Sequence, residues 1–454
     1  MLYEAESGDL DIALGGDVML TRRVSVGREP AFAALRDVIR GADVAFANLE
    51  SSVRHPDEGT PGITVGTYMT TPPELLDELK WLGIGVVSCA NNHAFDYGEG
   101  GLMATIRHLD AARIPHAGSG QNLAEARKPA FVDTPRGRVA LIATTATYRP
   151  WNRASGQRED MGGRPGVNPF GFKTEYAVDE NAIAELRRIS AALGFEKAKS
   201  RDGAHFYSEA EAGLNAGASE ITLLGARFVG AGEFAVRKAA DVADAADNLR
   251  WIREARRQAD WVIVSFHSHE FGGKSLATAA SRADLEEPAD FIRDFAREAI
   301  DAGADVFAGH GSHTLLGVET YKRKPIFYSL GNLVFMNETV PAFPEEAYSR
   351  FGLGGDATPG AFLDARTNND TKGHPASPRF WRSAVARCSF RNRELVEVRL
   401  HPTDLGFGRG RAQRGRPMLA TGEVAREVIR RAQQLSAPYG TKIVEENGTG
   451  VIRF

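Results

Sequence analysis

Cysteine is scarce in this chain: its 454 residues include only two, Cys89 and Cys388. Two cysteines cannot build the disulfide framework that stabilises small secreted domains, and such low cysteine usage is typical of a reducing compartment. Each of the two lies within an apolar run that has the length of a strand. We therefore expect both thiols to be small core groups without a role as nucleophiles.

Long apolar runs and a strong excess of one charge are also missing. The longest apolar runs, such as 139–146 and 261–266, are too short to span a bilayer, and residues 1–10 lack the basic and apolar regions of a secretory signal. The net charge is −4, and no basic stripe with interleaved aromatic residues occurs, which argues against a nucleic-acid partner. We expect a cytoplasmic protein without a membrane anchor.

The chain does contain a regular alternation of short apolar runs with amphipathic segments, which is typical of βαβ units. The candidate strands are 10–14, 44–48, 86–90, 139–144, 261–266, 306–308 and 326–330. The candidate helices, which have apolar residues at helical spacing, are 30–39, 73–82, 100–112, 243–258 and 288–302. The pattern predicts an α/β fold of the kind that large enzymes use.

Two stretches interrupt this alternation. Residues 148–237 are rich in glycine, arginine and aromatic side chains, and residues 336–382 are rich in glycine, proline, asparagine and aspartate. Segments of this length inside a compact domain are typical of lids or substrate-binding inserts. We therefore expect a catalytic domain over 1–340, with an insert at about 148–237, and a C-terminal extension over 341–454.

Within that extension the sequence predicts regular structure after an irregular loop. Residues 383–390 and 395–400 read as a β-hairpin, a helix is expected near 423–435, and a last strand over 442–454. We expect these elements to pack on the catalytic domain.

Polar side chains follow the carboxyl ends of the predicted strands. In chain order they are Asp17, Asn48 with Glu50, Asn92 with His93, His267, His310 and Asn332. In open α/β sheets that edge is where ligands bind. The repeated coincidence predicts one functional site that is assembled from distant parts of the chain.

Histidines at two of these strand ends indicate a metal. His310 and His313 lie three residues apart on a turn, and the string His267-Ser268-His269-Glu270 has the same placement after another strand. Neutral imidazole suits Zn, Mn, Fe or Co. Asp17 and Glu50 offer hard oxygen ligands, although Asp17 taken alone is equally well explained as the cap of a following helix.

The string Asn91-Asn92-His93-Ala94-Phe95-Asp96 predicts a catalytic pair. The amide oxygen of Asn92 can bind a metal without adding charge, and one helical turn would put His93 and Asp96 on the same face. Asp96 would then fix the tautomer of His93 and raise its basicity, as general acid–base catalysis requires. The alternative is an Asn-His turn that Asp96 merely caps.

Five strings occur in order between about residues 10 and 335: 16–22 (Gly-Asp-Val-Met-Leu-Thr-Arg), 47–50 (Ala-Asn-Leu-Glu), 90–98 (Ala-Asn-Asn-His-Ala-Phe-Asp-Tyr-Gly), 308–313 (Ala-Gly-His-Gly-Ser-His) and 328–332 (Tyr-Ser-Leu-Gly-Asn). Together they resemble the CapA family, named for poly-γ-glutamate capsule biosynthesis, which is similar to the calcineurin-like metallophosphoesterases. The resemblance implies a four-layer αββα sandwich of two mixed sheets, with insertions and a small C-terminal β/α extension.

The resemblance also implies roles for individual residues. It implies a centre of one or two divalent ions held by Asp17, Glu50, Asn92, His267, His310 and His313. It implies that His93 and Asp96 are the acid–base pair and that Arg22 binds an anion. Further candidates are His269 and Glu270, Arg164 from the insert, and Asn332 at the pocket. Met19 stands where phosphoesterases have a histidine, and Glu50 where they have an aspartate, so one ion and two unequal ions are both allowed.

The function expected from these residues is metal-dependent hydrolysis. We expect an amide bond, γ-glutamyl- or N-acyl-like, in a small or peptide-like carboxylated substrate, because Met19 weakens the usual phosphatase centre. A phosphoesterase is the first alternative. A metal-assisted isomerase or epimerase, which would abstract a proton beside a carbonyl, and a non-catalytic scaffold in polyglutamate handling stay open as well. The sequence also allows a homo-oligomer.

Overall fold

The computed structural model describes residues 8–64, 66–195, 219–273 and 278–454. In chain order its strands are β1 (Leu10–Met19), β2 (Val44–Leu49), β3 (Ser52–Val53), β4 (Thr70–Thr71), β5 (Val86–Ser88), β6 (His116–Ala117), β7 (Ser119–Gly120), β8 (Ala130–Thr134), β9 (Gly137–Thr145), β10 (Gly166–Val167), β11 (Phe172–Val178), β12 (Glu220–Leu223), β13 (Ala226–Gly230), β14 (Ala235–Ala240), β15 (Trp261–His267), β16 (Val306–His310), β17 (Val318–Tyr321), β18 (Lys324–Phe327), β19 (Asn332–Phe335), β20 (Arg382–Arg391), β21 (Glu394–Asp404), β22 (Met418–Leu419), β23 (Val444–Glu446) and β24 (Thr449–Arg453).

The α-helices lie between these strands and on the outside of the molecule. In chain order they are α1 (Pro30–Arg40), α2 (Leu76–Leu82), α3 (Gly98–Ala112), α4 (Leu123–Arg127), α5 (Glu180–Ala192), α6 (Val242–Arg256), α7 (Asp290–Asp301), α8 (Glu345–Ser349), α9 (Pro359–Thr367) and α10 (Gly422–Ser436). Within the described residues, no helix has both the length and the apolar character that crossing a bilayer requires.

Two mixed sheets form the centre of the fold. The first has the strand order β23-β24-β21-β20-β1-β2-β5-β6, with β19 beside the end of β1, and the second has the order β17-β18-β16-β15-β9-β8. The strands β1, β2 and β5 are parallel to one another, as are β9, β15 and β16. Hairpins complete each sheet with antiparallel strands.

Alternating side chains along the strands build the layers. Ile12 on β1 and Ile263 on β15 belong to one apolar core between the two sheets. Their neighbours point the opposite way: Ala13 packs with α1 and α2, and Val264 packs with α6 and α7. Each sheet is therefore buried on both faces, as the apolar runs of its parallel strands require. The predicted αββα arrangement is confirmed.

The C-terminal hairpin is an integral part of the first sheet. β20 runs antiparallel to β1, from the pair Leu10 and Phe390 to the pair Leu14 and Ala386, and β21 continues the sheet beyond it. β1 is therefore an inner strand, with β2 on its other side. The chain after residue 380 thus holds the strand that carries Asp17.

Two strand predictions differ from the structure because of turn residues. The expected strand 442–454 is a hairpin, since Asn447 and Gly448, with φ of 50° and 76°, form the two-residue turn between β23 and β24. Asn-Gly favours this turn because both positions need positive φ. The expected strand 326–330 ends at Phe327, and Gly331, with φ of 70°, precedes the separate strand β19.

The two stretches that interrupt the alternation contain regular structure. In the described part of 148–237, β11, β12 and β13 join β14 in a small separate sheet, with α5 beside it. The stretch 336–382 contains the short helices α8 and α9. Phe343 and Phe362 pack against each other there, with ring centroids 4.4 Å apart. An aromatic cluster therefore holds this second stretch in place.

Both cysteines are core groups, as the sequence predicts, and we expect them to be unreactive. Burial raises the pKa of Cys89 to about 12, and burial with nearby Asp11 raises the pKa of Cys388. Because the thiolate is the reactive form, neither thiol should react with Ellman's reagent in the native protein at pH 8. Both should react in denaturant. Rapid release of thionitrobenzoate by the native protein would contradict this packing.

Candidate metal centre

The strand ends of the two sheets meet at one point. Asp17 on β1 pairs with Asn48 on β2, and His267 on β15 pairs with His310 on β16. The side chain of Asn48 links the two pairs: its Nδ2 donates to Asp17 Oδ1 at 2.9 Å and lies 3.3 Å from His267 Nδ1. The packing of two sheets therefore gathers residues that are more than 200 positions apart in the chain.

Asp17, Glu50 and His313 form one group of potential metal ligands. Their donor atoms lie within 4.8 Å of one another, and all three residues are buried. His313 Nδ1 is 3.3 Å from Asp17 Oδ2 and 3.8 Å from Glu50 Oε2. The backbone N–H of Gly311 donates to Asp17 Oδ2 at 3.1 Å and holds the carboxylate in place.

His267 belongs to two further groups, which overlap the first. One contains Asp17 and His310, and the other contains Glu50 and His269, again with donor atoms within 4.8 Å of one another. His267 Nε2 lies 3.8 Å from Glu50 Oε1 and 2.8 Å from the amide oxygen of Asn92. All six ligands predicted from the sequence are therefore brought together.

A serine beneath the centre orients one of these imidazoles. Ser265 Oγ lies 2.6 Å from His310 Nε2, and His310 Nδ1 lies 3.6 Å from Asp17 Oδ1. Contacts of this kind to the second ring nitrogen fix the orientation of metal-binding histidines. His310 therefore presents Nδ1 to the shared cluster.

The state of Glu50 tests whether a cation fits this cluster. Within the described residues, neither of its carboxylate oxygens has a hydrogen-bond partner, although both are buried. Burial and the neighbouring Asp17 raise the pKa of Glu50 well above its ordinary value. Burial also lowers the pKa of His267 and brings that of His310 to about 4, so both imidazoles are neutral near pH 7. Unpaired carboxylate oxygens facing neutral imidazoles are a donor set that fits a divalent cation.

His93 and Asp96 form a hydrogen-bonded pair beside the cluster. His93 Nδ1 lies 2.6 Å from Asp96 Oδ2, which also accepts a hydrogen bond from the backbone N–H of Met69 at 2.7 Å. The other ring nitrogen, Nε2, lies 3.8 Å from Glu50 Oε1. Because Asp96 engages Nδ1, His93 has Nε2 available on the side of the metal ligands.

A cavity of about 580 Å³ opens over this centre. Its floor includes His93, His269 and His313, and Met19 also lines it. The stretch that begins at residue 148 contributes Tyr148, Arg149, Asn152 and Phe172, and other loops contribute Thr67, Arg282, Arg366 and His374. The cluster is therefore accessible to a ligand of substantial size.

The additional candidates close to the centre have distinct surroundings. His269 Nε2 is buried without a hydrogen-bond partner in the described part of the chain, and its ring centroid is 5.3 Å from that of His267. Glu270 accepts a hydrogen bond from Lys238 Nζ at 2.6 Å. Asn332 Oδ1 lies 3.0 Å from His313 Nδ1 and so positions that imidazole. Within the described residues, His269 therefore has a buried ring nitrogen available to bind a metal.

The structure does not bring the two predicted anion-binding arginines to the cavity. Arg22 donates from Nε to Thr339 Oγ1 at 3.1 Å, and its other nitrogens donate to the carbonyls of Ala412 and Arg414. Arg164 is exposed, and its Nε donates to the carbonyl of Arg153 at 3.1 Å. The interpretation of Arg22 as an anion-binding residue is corrected, because loop carbonyls occupy its guanidinium.

Several cavity residues were not identified from the sequence, among them Arg282, Arg366 and His374. Arg366 and His374 lie in the stretch 336–382, whose composition indicated an insert but singled out no side chain. Arg282 lies in a 3₁₀ turn between β15 and α7. None of these residues stands at a strand end or within a recognisable string, so no local signal marked them.

A further group of potential ligands lies on the surface, apart from the cavity. It contains His55, Glu58 and His108, and the rings of the two histidines are 5.1 Å apart. Glu58 already accepts a hydrogen bond from Arg107 at 3.0 Å and lies 2.6 Å from His108 Nε2. Its carboxylate is thus neutralised by protein groups, in contrast to the unpaired Glu50.

Comparison with known proteins agrees with this geometry. The model of the family described as bacterial capsule synthesis protein PGA_cap matches residues 11–337. The chain belongs to this family. This match and the CapA relatives confirm the resemblance to CapA proteins. The PGA_cap family is part of the metallophosphatase-like superfamily. The match spans every predicted metal ligand, as well as His93, Asp96 and Arg282.

Relatives of this member of the PGA_cap family differ in how much of the chain they match. The Sinorhizobium fredii protein y4sH is 34% identical over 453 residues, covering 97% of this chain and 92% of the relative. The PGA biosynthesis protein CapA of Bacillus subtilis is 23% identical, covering 72% and 63%. A probable polyglutamine synthesis accessory protein of Mycobacterium tuberculosis is 26% identical, covering 64% and 55%.

Proposed function

We propose that this protein is a metal-dependent hydrolase that cleaves a γ-glutamyl- or N-acyl-like amide bond in a small carboxylated substrate. The observation that carries the proposal is the position of His93. Its Nδ1 lies 2.6 Å from Asp96 and its Nε2 lies 3.8 Å from Glu50, at the floor of the cavity. This is the arrangement of an oriented acid–base group next to a metal centre.

In this mechanism the chain binds the cation, orients His93 and moves one proton. Asp17, Glu50, Asn92, His267, His310 and His313 would hold the cation, which when bound supplies Lewis acidity for hydrolysis. Nδ1–H of His93 donates to Asp96, which fixes the tautomer and keeps Nε2 turned towards the substrate. Nε2 takes a proton from the water molecule that attacks the carbonyl carbon and donates it to the leaving nitrogen as the C–N bond breaks, which gives a carboxylic acid and an amine.

The preference for an amide rests on Met19 and on the names of relatives. Met19 lines the cavity at the position where phosphoesterases have a histidine ligand, so the centre has one nitrogen ligand fewer. Relatives are named as a PGA biosynthesis protein and a probable polyglutamine synthesis accessory protein, and an amide-linked polymer such as polyglutamine supports the choice of an amide substrate. Phosphoester hydrolysis is the second candidate, favoured by overlapping ligand groups that share Asp17 and Glu50 and can accommodate two ions.

The test is a substrate screen with defined metals. The chelated protein is reloaded separately with Mn, Zn, Fe(II) or Co and assayed against N-acyl amides, γ-glutamyl amides and phosphoesters. We expect amide cleavage that disappears on chelation and returns with the same metal. Phosphoester cleavage alone would establish the second candidate. Uptake of solvent deuterium at carbon without cleavage, or inactivity with every metal, would overturn the assignment as a hydrolase.

A further inference from the structure

The wall of the cavity above the proposed metal centre carries two arginines that have no role in the proposed acid–base step. Arg282 and Arg366 both line it, and they come from separate segments of the chain. Among the described residues, neither guanidinium has a carboxylate within ion-pair distance. Most arginines in this protein differ in this respect; Arg127 and Arg153, for example, both bind Asp244.

Arg282 is connected to the proposed metal ligand Asp17 through the backbone of Gly311. Its Nη2 donates to the carbonyl of Gly311 at 3.1 Å, and the N–H of the same Gly311 donates to Asp17 Oδ2. The side chain is exposed and therefore accessible to a ligand. Its charge reaches Glu50, where it opposes the rise in pKa that burial and Asp17 cause. A cation that neutralises Asp17 and Glu50 would leave this guanidinium free for an anion.

Arg366 lies in the last turn of α9, at another part of the same wall. Its Nη1 donates to Thr67 Oγ1 at 2.5 Å, and the side chain is half-buried. His374 lies beside the proposed metal ligands, since its ring centroid is 5.5 Å from that of His313. Arg282, Arg366 and His374 line the same cavity.

The carboxylates in the same wall are already paired. Glu270 accepts a hydrogen bond from Lys238 on β14, and Asp96 is bonded to His93. Neither forms an ion pair with Arg282 or Arg366 among the described residues, although the charge of Glu270 raises the pKa of Arg282 against the lowering that burial causes. Guanidinium groups bind planar oxyanions through parallel N–H donors, and such charge-assisted hydrogen bonds are stronger when water is partly excluded.

We propose that Arg282 and Arg366 form an oxyanion-binding subsite beside the metal centre, which holds a carboxylate or phosphate group of the ligand away from the reacting bond. The identification of that ligand as a substrate rests on the proposed hydrolase function. The subsite selects anionic substrates with a second charged group. A neutral amide or a monoester of an uncharged alcohol lacks the group that the two arginines bind.

Binding of small anions to the metal-loaded protein tests the subsite without the natural substrate. We use glutarate, inorganic phosphate and neutral glutaramide as probes in isothermal titration calorimetry. Arg282→Gln and Arg366→Gln should each weaken anion binding by about 10- to 100-fold, the range for a lost hydrogen bond to a charged group. Arg366→Lys, which keeps the charge but loses the fork, should fall between wild type and Arg366→Gln.

The comparison among probes identifies the source of the oxyanion. Tighter binding of glutarate assigns a carboxylate group, and tighter binding of phosphate assigns a phosphate group. Exposed Arg158, which pairs with Asp160, provides the matched control, and Arg158→Gln should bind every probe as wild type does. Equal affinity of wild type and both glutamine variants for the anions, or wild-type binding of both anions no tighter than that of glutaramide, would overturn the proposal.

Kinetics separate the failure of the subsite from the failure of the proposed function. If an amide substrate is found, the two variants should raise KM by a similar factor with a smaller change in kcat, and their metal content should equal that of wild type. Turnover with an unchanged KM in both variants would overturn the subsite and leave the hydrolase intact. Lost anion binding in the variants, in a protein inactive on every substrate, would support the subsite and reject the hydrolase.

Discussion

Glu50→Gln is expected to abolish tight metal binding without destabilising the metal-free protein. Loss of a residue that only hydrogen-bonds a metal ligand lowers metal affinity by about 10- to 100-fold. Replacing Glu50, which we expect to bind the metal directly, should lower it further. The metal-free variant should unfold no earlier than wild type, because the buried carboxylate beside Asp17 lacks a hydrogen-bond partner among the described residues. Metal analysis after dialysis and thermal unfolding with and without metal measure both effects.

Glu319→Gln is the matched control for this experiment. Glu319 is also buried, but it accepts hydrogen bonds from Arg297 Nε at 2.9 Å and from the hydroxyl of Tyr328 at 2.5 Å. Its replacement should cost about 1–3 kcal/mol of unfolding free energy and leave the metal content unchanged. A Glu50→Gln protein that keeps its full metal content, or that is the less stable of the two without metal, would refute the role of Glu50 as a ligand.

His93→Ala is expected to remove turnover while the metal stays bound. General acid–base groups contribute about 100- to 10,000-fold to rates, and kcat should fall by a factor in this range. Since the six proposed ligands are other residues, metal content should match that of wild type. Loss of the buried hydrogen bond to Asp96 should lower the unfolding free energy by about 1–3 kcal/mol. Asp96→Asn should also lower kcat and shift its pH profile, because the carboxylate that orients His93 is lost. Rates are measured on whichever substrate class the screen identifies.

His55→Ala serves as the control, because this histidine is exposed and does not line the cavity. It should leave kcat and KM unchanged. A His93→Ala protein with wild-type turnover would rule out an acid–base role and favour a scaffold. Loss of metal together with activity would instead make His93 a seventh ligand.

The strands of the fold could be predicted from the sequence because buried parallel strands leave continuous apolar runs, whereas the four layers were implied by the resemblance to the CapA family. Residues 261–266 and 306–308 predicted β15 and β16 to within two residues at either end. Each run is followed by its histidine, since the parallel register sets His267 beside His310. The edge at which ligands gather followed from strand direction alone.

The contacts between the two sheets and the positions of the loop residues could not be predicted from apolar runs or strand direction. Asn48 connects Asp17 with His267 through contacts between sheets, and no local pattern encodes such contacts. The resemblance implies an anion-binding role for Arg22, but the partners of this side chain, Thr339 and two carbonyls beyond residue 410, are distant in sequence. Long-range packing therefore decided which arginines reach the cavity.

The most direct test of the metal centre is anomalous diffraction from crystals grown with Zn²⁺ or Mn²⁺ and measured at the absorption edge of that metal. We expect one or two peaks about 2.0–2.3 Å from side-chain atoms of Asp17, Glu50, His267 and His310. The strongest peak at the surface group of His55, Glu58 and His108, with none between the two sheets, would contradict the account.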